Sequence, residues 1–577
     1  MGAAASSSNF NYGFPTPGPQ HPTGQEVMNH VFFLSNTGWK EAREKGQFDY
    51  VVIGTGPCAL GFVDRILGKN SQARILMIER GPFFLPEHFQ NLPMPFENTI
   101  GGLSETFPWT LSAKTVAGEY IQYQHGMGPF FGGRSTLWST WCPRPTVAEM
   151  AGWPEEVIET AQEYFPAAEK LLNVIPANRI GEKCQAAKVG GKEIYGVLQD
   201  ELLKMLEDNL SEIESATRVI PAPLAAYAPN QETIDFQKFA TPGPLLEWID
   251  LQKSLDKKSE GKPLSVVTNC TVTKLLHQEG KATALETTRG VVNVSKSKVI
   301  LAMGTIPPTT LVLNSLPEVE NAGKRFTAHF ITSIVARVPR ADYDFGDRLG
   351  SLELAAIYLA GNNGSPQGQY HIQLTGISDK EPVKNAATAL RYMPDVVSTA
   401  SKEQLETSEN YVVFVCAVLG EMNVDNAENW LRLNNGEDPT TNVTLQAVED
   451  ASDSSVWNVM DEGTYQAIEK VLSPKGSANV EYWHGEPDNG EWKKDRPPVS
   501  QIRVPGLVHE GSTLWIGEDD APVGLDYRLQ NGSGSVAENV YVTGGGLWPR
   551  SGSWNPTLTM VALAQHLADT LEPQPVE

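Results

Sequence analysis

Apolar residues along the chain recur in three rhythms. The stretches "DYVVIG" (49–54) and "ARILMIE" (73–79) are short unbroken apolar runs, the form of strands covered on both faces. Between them "TGPCALGFVDRIL" (55–67) reads as a tight turn opening a helix, which makes a β-α-β unit of about 30 residues. "PEEVIETAQEYFPAAEKLLNV" (154–174) is helical by pattern. "KPLSVVTNCTVTKLLHQEGKATALETTRGVVNVSKSKVILAMGTI" (262–306) is a run of short strands with hairpin breaks. "NVYVTGGG" (539–546) is a last strand ending in glycines. After Pro556, Leu558, Val561, Leu567 and Leu571 mark a mostly buried helix, with Asn555 suited to its N-cap and Pro556 to its first turn. Residues 86–131 read as long loops, and 331–504 mix strands with polar loops.

The length of 577 residues and the 40% hydrophobic content suit two or more domains with a large core. Lysine and arginine number 45 against 69 aspartates and glutamates, a net charge of −24, which disfavours nucleic acid and anionic membranes as partners. Five scattered cysteines contain no CxxC pair, so zinc, iron–sulfur and disulfide frameworks are disfavoured and no metal site is expected. No 18-residue apolar run predicts a transmembrane helix, and residues 1–24 lack the order of a signal peptide. They match the myristoylation pattern M-G-x-x-x-S, although a low-complexity tail is the favoured reading of them. One acyl chain anchors weakly. The expectation is a cytoplasmic or otherwise intracellular protein without stable membrane insertion.

Chemistry enters at the first turn. Gly54, Gly56 and Ala59 form G-x-G-x-x-A, in which Gly54 permits the turn, Gly56 lets backbone approach a pyrophosphate and Ala59 allows close packing. The phosphates would rest on the helix N-terminus. Glu79, ending the next strand, is placed to accept hydrogen bonds from a ribose. This unit suits NAD and FAD equally.

Three further stretches separate the two: "FFGGRSTLWSTWCPRP" (130–145), "VILAMGTIPPTTLVLNSL" (299–316) with "AGKRFTAHF" (322–330), and "VHEGSTLWIG" (508–517) paired with "NVYVTGGGLWPRSGSWNPTLT" (539–559). With them the chain resembles the glucose–methanol–choline oxidoreductases, and within these most resembles the pyranose oxidase branch. The resemblance implies an α/β protein with a Rossmann-type FAD-binding domain (46–150, 264–330 and 505–577) after an N-terminal tail (1–45). It implies a substrate-binding domain (151–263 and 331–504) with a mostly antiparallel sheet and helices. It places Arg80, Gly133, Ser135, Gly304, Gly545, Pro556 and Thr557 along the cofactor, Val272 at the adenine and Ser139 near the flavin ring. His509, in H-x-x-G-[TG]-x-x-x-G with Ser512 where glycine is usual, and Asn555 become the catalytic pair. Where pyranose oxidases often read Thr-His-Trp, with the histidine bonded to the flavin, this chain has Thr136-Leu137-Trp138, so FAD is expected to be non-covalent.

The implied activity is oxidation of a hydroxyl on a sugar or sugar-like alcohol to a carbonyl. Hydride goes to the flavin, His509 acts as base, and O₂ or a quinone-type compound is the final acceptor. The rivals are a tailoring alcohol oxidase of a biosynthetic pathway and a non-redox FAD-containing lyase that cleaves cyanohydrins. Pyranose oxidases often form tetramers, which leaves a homo-oligomer open. Trp548 and Trp554 could line a pocket or simply pack.

Overall fold

A computed structural model describes residues 20–92, 104–122, 126–185, 187–228, 235–394, 400–518 and 520–572. The myristoylation pattern lies outside these.

Two sheets organise the molecule. The first is five-stranded and wholly parallel, in the spatial order Val540–Val542, Lys298–Leu301, Tyr50–Ile53, Ile75–Ile78 and Ser265–Val267. Its two N-terminal strands are buried at every position, as their unbroken apolar runs require. Helix Pro57–Lys69 covers it and packs on the C-terminal helix Thr557–Leu571. That contact is close: a β-carbon at Gly61 would stand 3.1 Å from Val561 Cγ1. Asp569 fastens the outer end by accepting hydrogen bonds from Arg65 and Tyr164 and pairing with Lys69.

The second sheet has eight strands and antiparallel pairing throughout. Its order is Asn489–Lys493, Glu481–Glu486, Thr327–Pro339, Tyr411–Glu421, Gln369–Asp379, Leu352–Asn362 and Ala216–Pro221. Arg503–Gly511 also pairs with Thr327–Pro339. The expected architecture of a Rossmann-type unit with an antiparallel substrate unit is therefore present.

Several assignments change. Residues 24–45, read as tail, form helices Gly24–Val31 and Asn36–Lys45, and Trp39 is buried with its indole N–H donating to Arg289 O at 2.9 Å. Their few apolar residues hid them. Helices Glu155–Leu171 and Pro242–Lys257, assigned to the substrate unit, contribute Val157, Phe165, Leu245 and Ile249 to the core around the parallel sheet. An amphipathic pattern shows that a helix packs, not against which sheet. Conversely, the strand carrying His509 belongs to the antiparallel sheet.

Candidate active site

A large cavity opens between the carboxyl ends of the parallel strands and one face of the antiparallel sheet. Its empty space, mouth included, is about 2280 Å³. Its wall includes Gly54, Gly56, Glu79, Arg80, Gly133, Ser135, Leu137, Ser139, Val272, Gly304, Gly545, Pro556 and Thr557, together with His509 and Asn555. Of the residues assigned to the cofactor or to catalysis, Ala59 alone does not line it. Ala59 is fully buried, which fits the packing task of the third motif position.

The dinucleotide end is shaped as the motif requires. Gly54 has φ +104°, and a β-carbon there would lie 2.4 Å from Ala302 O on the neighbouring strand. A β-carbon on Gly56 would meet nothing within 4 Å, so the backbone faces open space. Gly56 caps helix Pro57–Lys69 without a side-chain hydrogen bond, leaving its first N–H groups for an anion. Glu79 accepts from Thr55 Oγ1 at 2.6 Å and Gly81 N at 3.0 Å, and Thr55 Oγ1 in turn accepts from Gly132 N at 3.0 Å. Burial pushes the Glu79 carboxyl up to about 7 despite these donors. Cys58 lines the same end, and burial raises its thiol to about 12, so it stays protonated.

The buried polar atoms Thr140 Oγ1, Trp141 Nε1 and Trp109 Nε1 have no hydrogen-bond partner among the described residues, and all three residues line the cavity. Such orphans suit a polar ring system placed against them. Leu137, at the linking-histidine position, packs with Leu85, Phe89 and Phe130. These observations fit a bound dinucleotide with a polar aromatic head. Among the described residues no cluster of three metal-ligating side chains occurs, and no helix is long and apolar enough to cross a membrane.

The catalytic candidates face this cavity from the two units. His509 has φ +60° and Ser512 φ +65°, a left-handed backbone that non-glycine residues adopt at a cost of order 1–3 kcal/mol. The usual glycine at position 512 is thereby explained, and the serine stays because Ser512 Oγ lies 3.0 Å from Thr327 Oγ1. His509 Nδ1 sits 2.9 Å from His329 Nδ1, with the rings at 84°. His329 is fully buried, and burial lowers it to about 4, so its ring is neutral. Glu510, next in the strand, is paired with Arg134 at 2.5 Å.

Asn555 does not cap. The C-terminal helix begins at Thr557, Pro556 occupies the capping position, and no side chain caps it. The proline ring has taken the place expected of the amide. Asn555 Oδ1 instead accepts from Gln373 Nε2 at 2.9 Å. Gln373 Nε2 is also 3.2 Å from Nε2 of His371, which is buried, stacked on Tyr358 and held neutral by burial. The stretch just before Asn555 is clamped by Arg550, whose guanidinium donates to both oxygens of Glu421 at 2.6 Å, while Gly552 N donates to Glu421 at 3.1 Å. Trp548 and Trp554 pack against Trp153 in the core and do not line the cavity.

His329, His371, Gln373 and Glu421 carry no motif role in the sequence reading. Strand register collects them. His329 faces Glu421 across the Thr327–Pro339/Tyr411–Glu421 pair, and His371 and Gln373 follow on the same face of the next strand. Polar residues at every second position of otherwise apolar strands were the available signal.

No protein-family model matches the chain, and no curated protein does. Among solved structures, pyridoxine 4-oxidase from Mesorbium loti is similar with a TM-score of 0.54 over 91% of this chain and 99% of that one, at 12% sequence identity. The two share a fold, built here from a dinucleotide-type parallel sheet and a large antiparallel sheet.

Proposed function

We propose that the protein is an FAD-dependent oxidoreductase of the glucose–methanol–choline type. In this reading it oxidises the CH–OH group of an alcohol or sugar, with His509 as base. The observation that carries the reading is the meeting of His509 and Asn555 at one cavity that Gly54, Gly56 and Glu79 also line. The fold shared with a solved oxidase supports it.

When bound, FAD supplies the two-electron acceptor for the hydride that leaves the carbinol carbon, and O₂ or a quinone-type compound then takes the electrons. Gly54, Gly56 and the N-terminus of helix Pro57–Lys69 would hold its pyrophosphate, and Glu79 its ribose. Leu137 offers no nucleophile, so the cofactor is held without a covalent bond there.

The chain's own residues set where protons sit. Two facing Nδ1 atoms 2.9 Å apart need one donor and one acceptor. His329 is neutral and has a single N–H, which in this reading sits on Nε2, toward the backbone at Ser551 and Gly552, although no hydrogen bond forms there. A proton held there leaves His329 Nδ1 as the lone-pair atom. His509 then keeps its proton on Nδ1, and its Nε2 is the basic nitrogen that receives the substrate hydroxyl proton. A parallel argument fixes Asn555. The Gln373 amide nitrogen donates to Asn555 Oδ1 and to His371 Nε2, so the Asn555 N–H₂ group remains to donate to the substrate oxygen. Loss of the hydroxyl proton to His509 and of hydride from the same carbon converts C–OH to C=O.

The test is anaerobic mixing of FAD-loaded protein with a panel of alcohols while flavin absorbance is followed. Bleaching by an alcohol supports oxidation, and readmitted air separates oxidase from dehydrogenase. A flavin that no alcohol bleaches, in a protein that cleaves a cyanohydrin, would make it a lyase.

A further inference from the structure

We infer that the substrate is an alcohol with an apolar body, aromatic or aliphatic, recognised through its one reacting hydroxyl. This rests on the oxidoreductase reading and narrows it. The antiparallel sheet faces the cavity next to Asn555 and His509, and its register fixes what the substrate meets there. Ile331 lies opposite Leu419, Leu419 opposite His371, and Ala417 opposite Gln373. The sheet residues that line the cavity are Ile331, Gln373, Ala417, Leu419 and Val508, besides His509 and Glu510. The two histidines of this face, His329 and His371, lie behind the wall and are fully buried.

The part of the wall that the sheet supplies is therefore three branched aliphatic side chains and an alanine, besides Gln373, His509 and Glu510. Its one uncharged polar side chain, Gln373, has its amide nitrogen committed to Asn555 and His371. The carboxylate of Glu510 is committed to Arg134. A pyranose placed here would turn several hydroxyls toward Ile331, Ala417, Leu419 and Val508. Each buried hydroxyl without a partner weakens binding by on the order of ten- to a hundred-fold. An aryl or alkyl chain meets the same wall with no unsatisfied group and gains from leaving water. Such pockets place few polar groups, and those fix orientation. Here His509 and Asn555 fill that role.

The experiment uses FAD-loaded protein with cinnamyl alcohol, 1-hexanol, D-glucose and D-xylose under anaerobic conditions. The expected result is flavin bleaching by cinnamyl alcohol or hexanol with a kcat/KM at least a hundred-fold above either sugar. A sugar that bleaches as fast as the apolar alcohols overturns the inference and leaves the oxidoreductase reading intact. Anisole, which has no hydroxyl to oxidise, separates the two further. Saturable displacement of the flavin absorption band by anisole but not by glucose supports the apolar site even if no alcohol is oxidised. Displacement by glucose alone, or by neither, overturns it. Ala417→Phe, which fills the wall, should lower kcat/KM for cinnamyl alcohol at least tenfold more than for ethanol. An equal loss for both would count against the wall as the substrate's seat.

Discussion

The two sheets bring different kinds of residue to one cavity. The parallel sheet delivers its chemistry at strand ends: Gly54 and Gly56 follow one strand, Glu79 the next, Gly304 and Gly545 the others. The antiparallel sheet delivers Gln373 to the cavity from a long strand that is buried throughout, and sets His329, His371 and Glu421 behind the cavity wall. At a strand end the backbone itself binds ligand, so spacing and glycine are dictated. Within a strand only the side chain counts, and its neighbours are residues far away in sequence. The lesson is that the proposed cofactor cradle is a local structure and the polarity of the proposed catalytic pair is a register-dependent one.

Removing the base tests the shared centre of both. His509→Ala should slow anaerobic flavin bleaching by about 10²–10⁴-fold, the usual worth of a positioned base, with FAD still bound. A rate within a few-fold of the parent would remove His509 from the mechanism. The register-dependent side is tested by His329→Leu, which takes away the acceptor for His509 Nδ1. The expected loss is about ten- to a hundred-fold, the scale of a hydrogen bond worth 1.5–3 kcal/mol. His329→Asn, whose Oδ1 can accept, should recover part of the rate. An equal loss in both variants would reduce His329 to packing.

A smaller effect is expected at Asn555, where the two units meet. Asn555→Ser is a good cap but has no amide to answer Gln373 and no N–H₂ to offer the substrate. It should slow bleaching by roughly tenfold, the worth of one good neutral hydrogen bond at about 1.4 kcal/mol. Full activity in the serine variant would remove the Asn555 amide from the reaction.

Legibility in the sequence followed the same divide. Gly54, Gly56 and Glu79 could be placed because the G-x-G-x-x-A spacing is imposed by a turn and a helix start, and the other twelve cavity residues came from the family resemblance. Position 512 shows the reasoning from the other side, since φ +65° explains why glycine is usual there. The helices at 24–45 were missed because one buries none of its residues fully and the other buries only Trp39. His371 and Gln373 were illegible for another reason. Their partners are Asn555, 182 residues from Gln373, and strands whose register no single sequence displays. The capping assignment failed through a local competitor, Pro556, whose fixed φ already suits the helix start.

The smallest expected effect belongs to the cradle and carries its own pH signature. Burial holds the Glu79 carboxyl near 7, above the unfolded value of about 4.3. Between those values the folded apoprotein binds more protons than the unfolded chain. Its stability from this group is therefore fully present below the unfolded value and falls as pH rises toward 7, then levels off. A ribose hydroxyl donating to Glu79 favours the ionised form, so FAD binding should release up to one proton near neutral pH, and affinity should rise with pH until about 7. Glu79→Gln cannot ionise. It should weaken FAD by only about fivefold, the difference of about 1 kcal/mol between charged and neutral acceptors, while abolishing the proton release. Calorimetric titration of apoprotein with FAD in two buffers of different ionisation heat measures both quantities. Proton release that survives in Glu79→Gln would mean that another group is linked to nucleotide binding, and unchanged affinity would place the ribose elsewhere along the cavity.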